Sequence, residues 1–190
     1  MPLNIVFEEL TTNNWSSFES LFSKCEQCSE CWCLNHRVPA SDAVTGDRAK
    51  EKMKDLTKEG KVGGLLGFID KTCIAWISVD PIETQVGHDY VVENDITSQK
   101  NTWMVHCIYI TPEYRNKGLS KSLIQEAISF AKSKGASKII AFPIPSETRN
   151  MFPQDEAEFS GRHSSFEKAG FISKKKMNKF YELMELDLNL

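Results

Sequence analysis

The sequence predicts a mixed α/β fold of the α+β kind, and three features carry that expectation. Runs rich in β-branched and aromatic residues, such as Thr102 to Ile110, alternate with segments whose apolar residues recur at helical spacing. No repeat or linker divides these segments. The length of 190 residues suits one domain, taken as 1–190, and a chain of this size buries roughly 70% of its unfolded surface without a staple. Hydrophobic residues at 41% and charged residues at 26% exclude disordered and low-complexity classes.

Ile5 to Glu9 reads as a first strand. A helix with Asn13 or Asn14 as N-cap follows, carrying Trp15, Phe18, Leu21 and Phe22 on one face. After a cysteine-rich segment and the break at Pro39 to Asp42, Asp47 to Lys58 reads as a second helix stopped by Gly60. Val62 to Ile69 and Cys73 to Val79 form a hairpin around Asp70-Lys71-Thr72. Asp80 to Asn101 lacks periodicity and reads as a long loop. Thr102 to Ile110 is the next strand. The helix after it, about Gly118 to Lys134, has an apolar stripe of Leu119, Leu123, Ile124, Ala127 and Ala131. Lys138 to Phe142 is a short buried strand, and Gly161 to Ala169 a short helix ended by Gly170. Phe171 to Ser173 and Phe180 to Leu188 are two last strands joined by a turn at Lys174-Lys175-Lys176.

Lys and Arg number 23 against 26 Asp and Glu, a net charge of -3. That balance argues against a nucleic-acid partner and leaves room for a local basic pocket. The longest apolar stretches fall far short of the ~20 residues of a spanning helix, and Glu8 and Glu9 do not suit a signal peptide. A cytoplasmic protein with no membrane partner is therefore expected. Of the six cysteines, Cys73 and Cys107 lie in apolar runs and read as small buried hydrophobes. Cys25, Cys28, Cys31 and Cys33 crowd together with His36 just beyond. In a reducing compartment that spacing favours metal or redox chemistry over disulfides.

The segment Arg115-Asn116-Lys117-Gly118-Leu119-Ser120-Lys121 joins a strand to a helix start. A glycine lets backbone approach a ligand, the helix N-terminus favours an anion, and three cations reinforce it. These pieces suit a pyrophosphate. No Walker loop, G-x-G-x-x-G or G-x-S-x-G motif competes with it.

The run Tyr109 to Ser120 closely resembles the acetyl-CoA-binding motif of the GCN5-related N-acetyltransferases, R/Q-x-x-G-x-G/A at a strand-to-helix turn. Phe166-Glu167-Lys168-Ala169-Gly170-Phe171 resembles the late helix of that family with its Gly-Phe pair, and Ala75-Trp76-Ile77-Ser78-Val79 its strand before the central loop. The resemblance covers nearly the whole chain. It implies a six- or seven-stranded mixed sheet, splayed near its middle and flanked by about four helices. It further implies acetyl-CoA as co-substrate and acetyl transfer to a primary amine, on a small molecule or a protein or peptide, by direct attack. A homodimer is allowed. Carried over by position, the backbone of Ile108, Tyr109 and Ile110 would hold the pantetheine arm. Arg115, Asn116, Lys117, Gly118, Leu119, Ser120 and Lys121 would hold the pyrophosphate; Ser120 departs from the usual Gly or Ala but is small.

Many members place a tyrosine in the late helix as acid, and here that position is Phe166. Ser164, Ser165, His163, Tyr109 or a water are the substitutes. For the base, strand alternation puts His106 on the face of Met104, Ile108 and Ile110, and an imidazole titrates in the useful range. Its alternative is a hydrogen-bonded core histidine. Glu83, Glu93 and Asp95 are further carboxylate candidates. The Cys-Trp-Cys segment, 25–37 with Arg37, resembles a signature of one branch of the family. It is read as a packed lining of the substrate cleft, and no metal ligand is assigned. A sensor that binds CoA or a metal without catalysis is the competing reading.

Overall fold

β1 (Val6–Glu9), β2 (Leu65–Ile69), β3 (Thr72–Pro81), β4 (Thr102–Ile110), β5 (Lys138–Ala141), β6 (Ile172–Lys176) and β7 (Glu182–Asp187) form a seven-stranded sheet. The computed structural model describes residues 4–86, 100–151 and 159–189. Strand order is β1-β2-β3-β4-β5-β7-β6. Only β4 and β5 pair in parallel; the other neighbours are antiparallel. The β2–β3 hairpin turns through Asp70 and Lys71, both with positive φ (47° and 66°), as a twisted two-residue turn requires.

Five α-helices lie among the described residues, where about four were expected: α1 (Trp15–Phe22), α2 (Glu26–Cys31), α3 (Gly46–Lys58), α4 (Leu119–Ser133) and α5 (His163–Lys168). Alternation along the strands sends neighbouring residues to opposite layers. Leu65, Ile77, Ile108 and Ile110 join Leu123, Ile124 and Ala127 of α4 in one core. Leu66, Trp76 and Tyr109 join Phe18 and Phe22 of α1, Trp32 and Met53 in the other. That second core is aromatic, with Phe18 and Phe22 centroids 4.1 Å apart and Trp76 5.0 Å from Phe18.

The middle of the sheet opens as expected. β4 pairs with β5 only from Thr102 to Val105, opposite Lys138 to Ala141, and then runs on to Ile110 alone on that side. On its other side β4 stays paired with β3, with one irregularity. Ser78 faces Cys107 and Val79 faces Val105, so His106 is the extra residue of a β-bulge. The bulge corrects the expected alternation. Ile108 and Ile110 lie in the α4 layer with Val105, whereas Met104 packs with Ile82, Ile140 and Phe142. His106 therefore does not share one face with Met104, Ile108 and Ile110, because the extra residue resets the period of two.

Three local readings also change. Lys174, Lys175 and Lys176 lie within β6, and the turn follows them. Their side chains are exposed on an edge strand, where lysine is favoured. Asn14 starts α1 without capping it by its side chain; Oδ1 instead accepts from Thr11 N (2.8 Å) and Nδ2 donates to Glu9 O (3.0 Å). The Asp80 to Asn101 loop begins later than expected, since β3 continues to Pro81 and a short 3-10 turn spans Ile82–Thr84.

Candidate active site

The open edge of β4 leads into a cavity of about 410 Å³. Ile108, Tyr109 and Ile110 form one wall, and Arg115, Asn116, Gly118, Leu119, Ser120 and Lys121 form its end. The connecting turn is left-handed at Asn116 (φ 60°) and Gly118 (φ 81°), which aims the first turn of α4 at the cavity. A Cβ on Gly118 would meet nothing within 4 Å, so conformation rather than space calls for glycine there. Arg115 Nε donates to Ile110 O at 2.9 Å, pinning the turn to the strand end. Lys117 is the one predicted member outside the wall; its ammonium lies 5.1 Å from the Tyr114 ring centroid. The far wall comes from Phe159, Gly161, Arg162, Ser165 and Lys168, of which only Ser165 was expected at the site. Helix N-terminus, Arg115, Lys121, Arg162 and Lys168 make this cavity anion-seeking on a chain of net charge -3.

Phe159 also belongs to a second cavity, of about 730 Å³, on the side of α1 and α2. Phe22, Met104, Phe142, Ile144 and Tyr181 make its walls largely apolar, while Gln27, Asn35, His36 and His106 supply polar atoms. The bulge turns His106 toward this space, and its ring packs against His36 in a tilted arrangement, 3.8 Å between centroids. His36 is held by Ser78 Oγ (3.2 Å) and by Arg37 Nη1, both at Nε2. An arginine only donates, so that nitrogen accepts and the ring proton of His36 sits on Nδ1. Arg37 in turn is fully buried. Its Nη2 reaches Asp80 Oδ2 (2.5 Å), Ser78 Oγ (3.0 Å) and Gly63 O (2.9 Å), and Gly63 N donates to Asp80 Oδ1 (2.5 Å). A Cβ at Gly63 would strike Val79 O and the Asp80 carboxylate, so only glycine lets this network close.

The other candidates separate. Ser165 lines the first cavity, whereas Ser164 is exposed and lines neither. His163 is engaged by Glu182 (3.1 Å) and Ser173 (3.1 Å). Tyr109 is buried against Phe159, and burial raises its phenol above the ordinary value despite the Arg115 charge. Phe166 is fully buried and packs edge-on against Phe171. Glu83 is exposed, outside both walls. Glu93 and Asp95 lie outside the described residues.

The cysteines differ from expectation. Cys25 and Cys28 form a disulfide, although the spacing favoured metal or redox chemistry over one. Among the described residues, no three His, Cys, Asp or Glu side chains converge as a metal site. Cys73 and Cys107 are partly exposed rather than buried, and Cys107 lines the second cavity with Cys31 and Cys33. The histidine pair could be suspected only from the Cys-Trp-Cys-x2-His-Arg run, and nothing in sequence joined His36 to His106.

The profile of the acetyltransferase (GNAT) family matches residues 17–151. No curated protein sequence matches the chain. Among solved structures, a Bacillus halodurans protein of uncharacterised function superposes with a TM-score of 0.60 at 17% identity, covering 97% of this chain and 84% of that one. The PaiA N-acetyltransferase of Thermoplasma acidophilum, in complex with coenzyme A, gives 0.52 at 16% identity over 97% and 99%. YncA of Salmonella typhimurium, a putative acetyltransferase with acetyl-CoA, gives 0.57 at 12% identity over 97% and 94%. At such identities the superpositions speak for the fold.

Proposed function

The chain belongs to the acetyltransferase (GNAT) family, and from that premise we propose that its two cavities are the donor and acceptor halves of one site. As a member it is an acetyl-CoA-dependent N-acetyltransferase. The observation that carries the two-cavity reading is the unpaired edge of β4 beyond Val105, which leads from the cation-rich cavity to the histidine-lined one. An extended pantetheine arm adds to such an edge as a strand would, and the first turn of α4 with Arg115 and Lys121 holds the pyrophosphate.

His106 is the proposed base. It takes a proton from the acceptor ammonium, directly or through water, so that the neutral amine attacks the thioester. His36, fixed by Arg37, positions the His106 ring by packing against it. A backbone N–H of β4 polarises the thioester carbonyl. Ser165 or Tyr109, both in the donor cavity, returns a proton to the departing thiolate; the burial that keeps the Tyr109 phenol protonated suits that part. Ser164 has no place in this scheme. The described acceptor wall carries no carboxylate and is rich in aromatic rings. The acceptor is accordingly a small primary amine on an apolar or aromatic body rather than a polycation.

Release of free thiol from acetyl-CoA across a panel of amines tests this. Arylalkyl amines should turn over and polyamines should not. Failure of every amine, or undiminished acetyl-CoA affinity in calorimetry after Gly118→Glu, would overturn the assignment of the two halves.

A further inference from the structure

Acetyl transfer makes no use of the thiols around the acceptor cavity, and their arrangement exceeds what packing requires. Trp32 and Cys33 form a left-handed turn after α2, with φ of 46° and 57°, a conformation rare outside glycine. The turn lays Cys33 Sγ onto β3, where Trp76 Nε1 donates to it at 3.3 Å and Arg37 Nη1 at 3.6 Å. Two N–H donors on one buried sulfur, one of them cationic, favour a thiolate. Arg37 also holds Ser78, whose cross-strand neighbour is Cys107. Cys107 thus lies close to Cys33, packed against the same core, and both residues line the same cavity.

We propose that Cys33 and Cys107 form a peroxide-reactive thiol pair in the acceptor-cavity wall, with Cys33 the attacking sulfur and Cys107 the resolving one. The Cys33 thiolate attacks the terminal oxygen of a hydroperoxide. The O–O bond breaks, an alkoxide or hydroxide leaves and is protonated by water, and Cys33 becomes a sulfenic acid. The Cys107 thiol then attacks that sulfur. An S–S bond forms, the S–O bond breaks, and the hydroxide leaves with the Cys107 proton as water. Two electrons pass from the sulfurs to the peroxide, so the sum balances.

The neighbouring groups support this division of labour. Burial works against charge on Cys33, but the Cys107 hydrogen bond, the Arg37 charge and the Trp76 N–H outweigh it and bring Cys33 down to about 6. Cys107 is pushed up, first by its bond to Cys33 and then by burial, so it keeps its proton until the sulfenic acid forms. Burial and the nearby Cys33 push Cys31 to about 11, and Cys25 and Cys28 are already paired. The new disulfide would tie the segment after α2 to β4 next to His106. Its effect on acetylation rests on the reading of this cavity as the acceptor half.

The test is treatment of the full chain with hydrogen peroxide, blocking of remaining thiols and peptide mapping. A Cys33–Cys107 cross-link, two hydrogen masses lighter and reversed by dithiothreitol, is expected. In Cys107→Ser, Cys33 should instead be captured by dimedone. Alkylation of both Cys33 and Cys107 after peroxide, or a cross-link between other cysteines, overturns the proposal. Should Cys107→Ser not fold, the wild-type map alone decides. Mapping is independent of turnover: an error in the acetyl-transfer scheme would show in the reduced protein, not in the map.

Discussion

His106 faces the second cavity because β4 holds one residue more than β3 at the bulge. Had the strands paired regularly, strand alternation would have set it on one side of the sheet with Ile108 and Ile110. His106→Gln keeps the size and removes the titration. It should lower kcat/KM by roughly 10²-fold and flatten the ascending limb of its pH profile, while acetyl-CoA affinity in calorimetry is unchanged. A retained limb would place the base elsewhere. Cys33 offers a second check at this scale. Its folded value of about 6 lies below the ordinary 9.0, so the thiolate fraction rises with pH through about 6. Alkylation of Cys33 by iodoacetamide should follow that rise and level off well below the pH at which Cys31 begins to react. The same depression means that stability linked to Cys33 is complete above pH 9 and is lost as pH falls through about 6. Arg37, Trp76 and Cys107 face this sulfur, and Arg37→Met should move the alkylation midpoint upward.

Two elements carry the site. The turn into α4 works because Gly118 sits at φ 81° with open space around it. Gly118→Ala should fold with a penalty of about 1 kcal/mol, read from denaturation midpoints. Gly118→Glu also sets a carboxylate among the cations proposed to hold the phosphates, and its acetyl-CoA binding heat should vanish. The loop after α2 is fastened to β3 by the buried Arg37–Asp80 pair and the Arg37–Ser78 bond, and Arg37 also bonds Gly63 O and the loop's own Cys33 O. Asp80→Ala leaves a buried guanidinium short of its counter-charge and should cost about 3–5 kcal/mol. The donor cavity lies away from this pair, so wherever the variant folds, acetyl-CoA affinity should persist while amine turnover falls.

For the molecule as a whole, negative net charge surrounds one positive cavity, so acetyl-CoA affinity should fall as salt screens it. Bound at 100 times its Kd, acetyl-CoA should stabilise the fold by about 2.7 kcal/mol, raising the melting temperature of the wild type but not of Gly118→Glu. The proposed donor half could be delimited from the chain alone for a physical reason. Strand, turn and helix start are contiguous from Ile108 to Lys121, and their chemistry is backbone geometry and local charge, which adjacent residues dictate. Nine of ten residues expected there line the cavity, and Lys117 lies instead over the Tyr114 ring. Helical stripes and β-branched runs likewise declared the elements, since each buries one face whatever lies opposite. The proposed acceptor half depended on contacts between distant segments. His36 met His106, and Cys33 met Cys107, because a bulge broke the period of two and a left-handed turn reversed the chain after Trp32. Neither device has a strong local signature, for the bulged residue is not a glycine and the turn uses Trp and Cys. Packing of Trp32 into the aromatic core and capture of Arg37 by Asp80 hold that geometry, and both are interactions that exist only once the layers have closed.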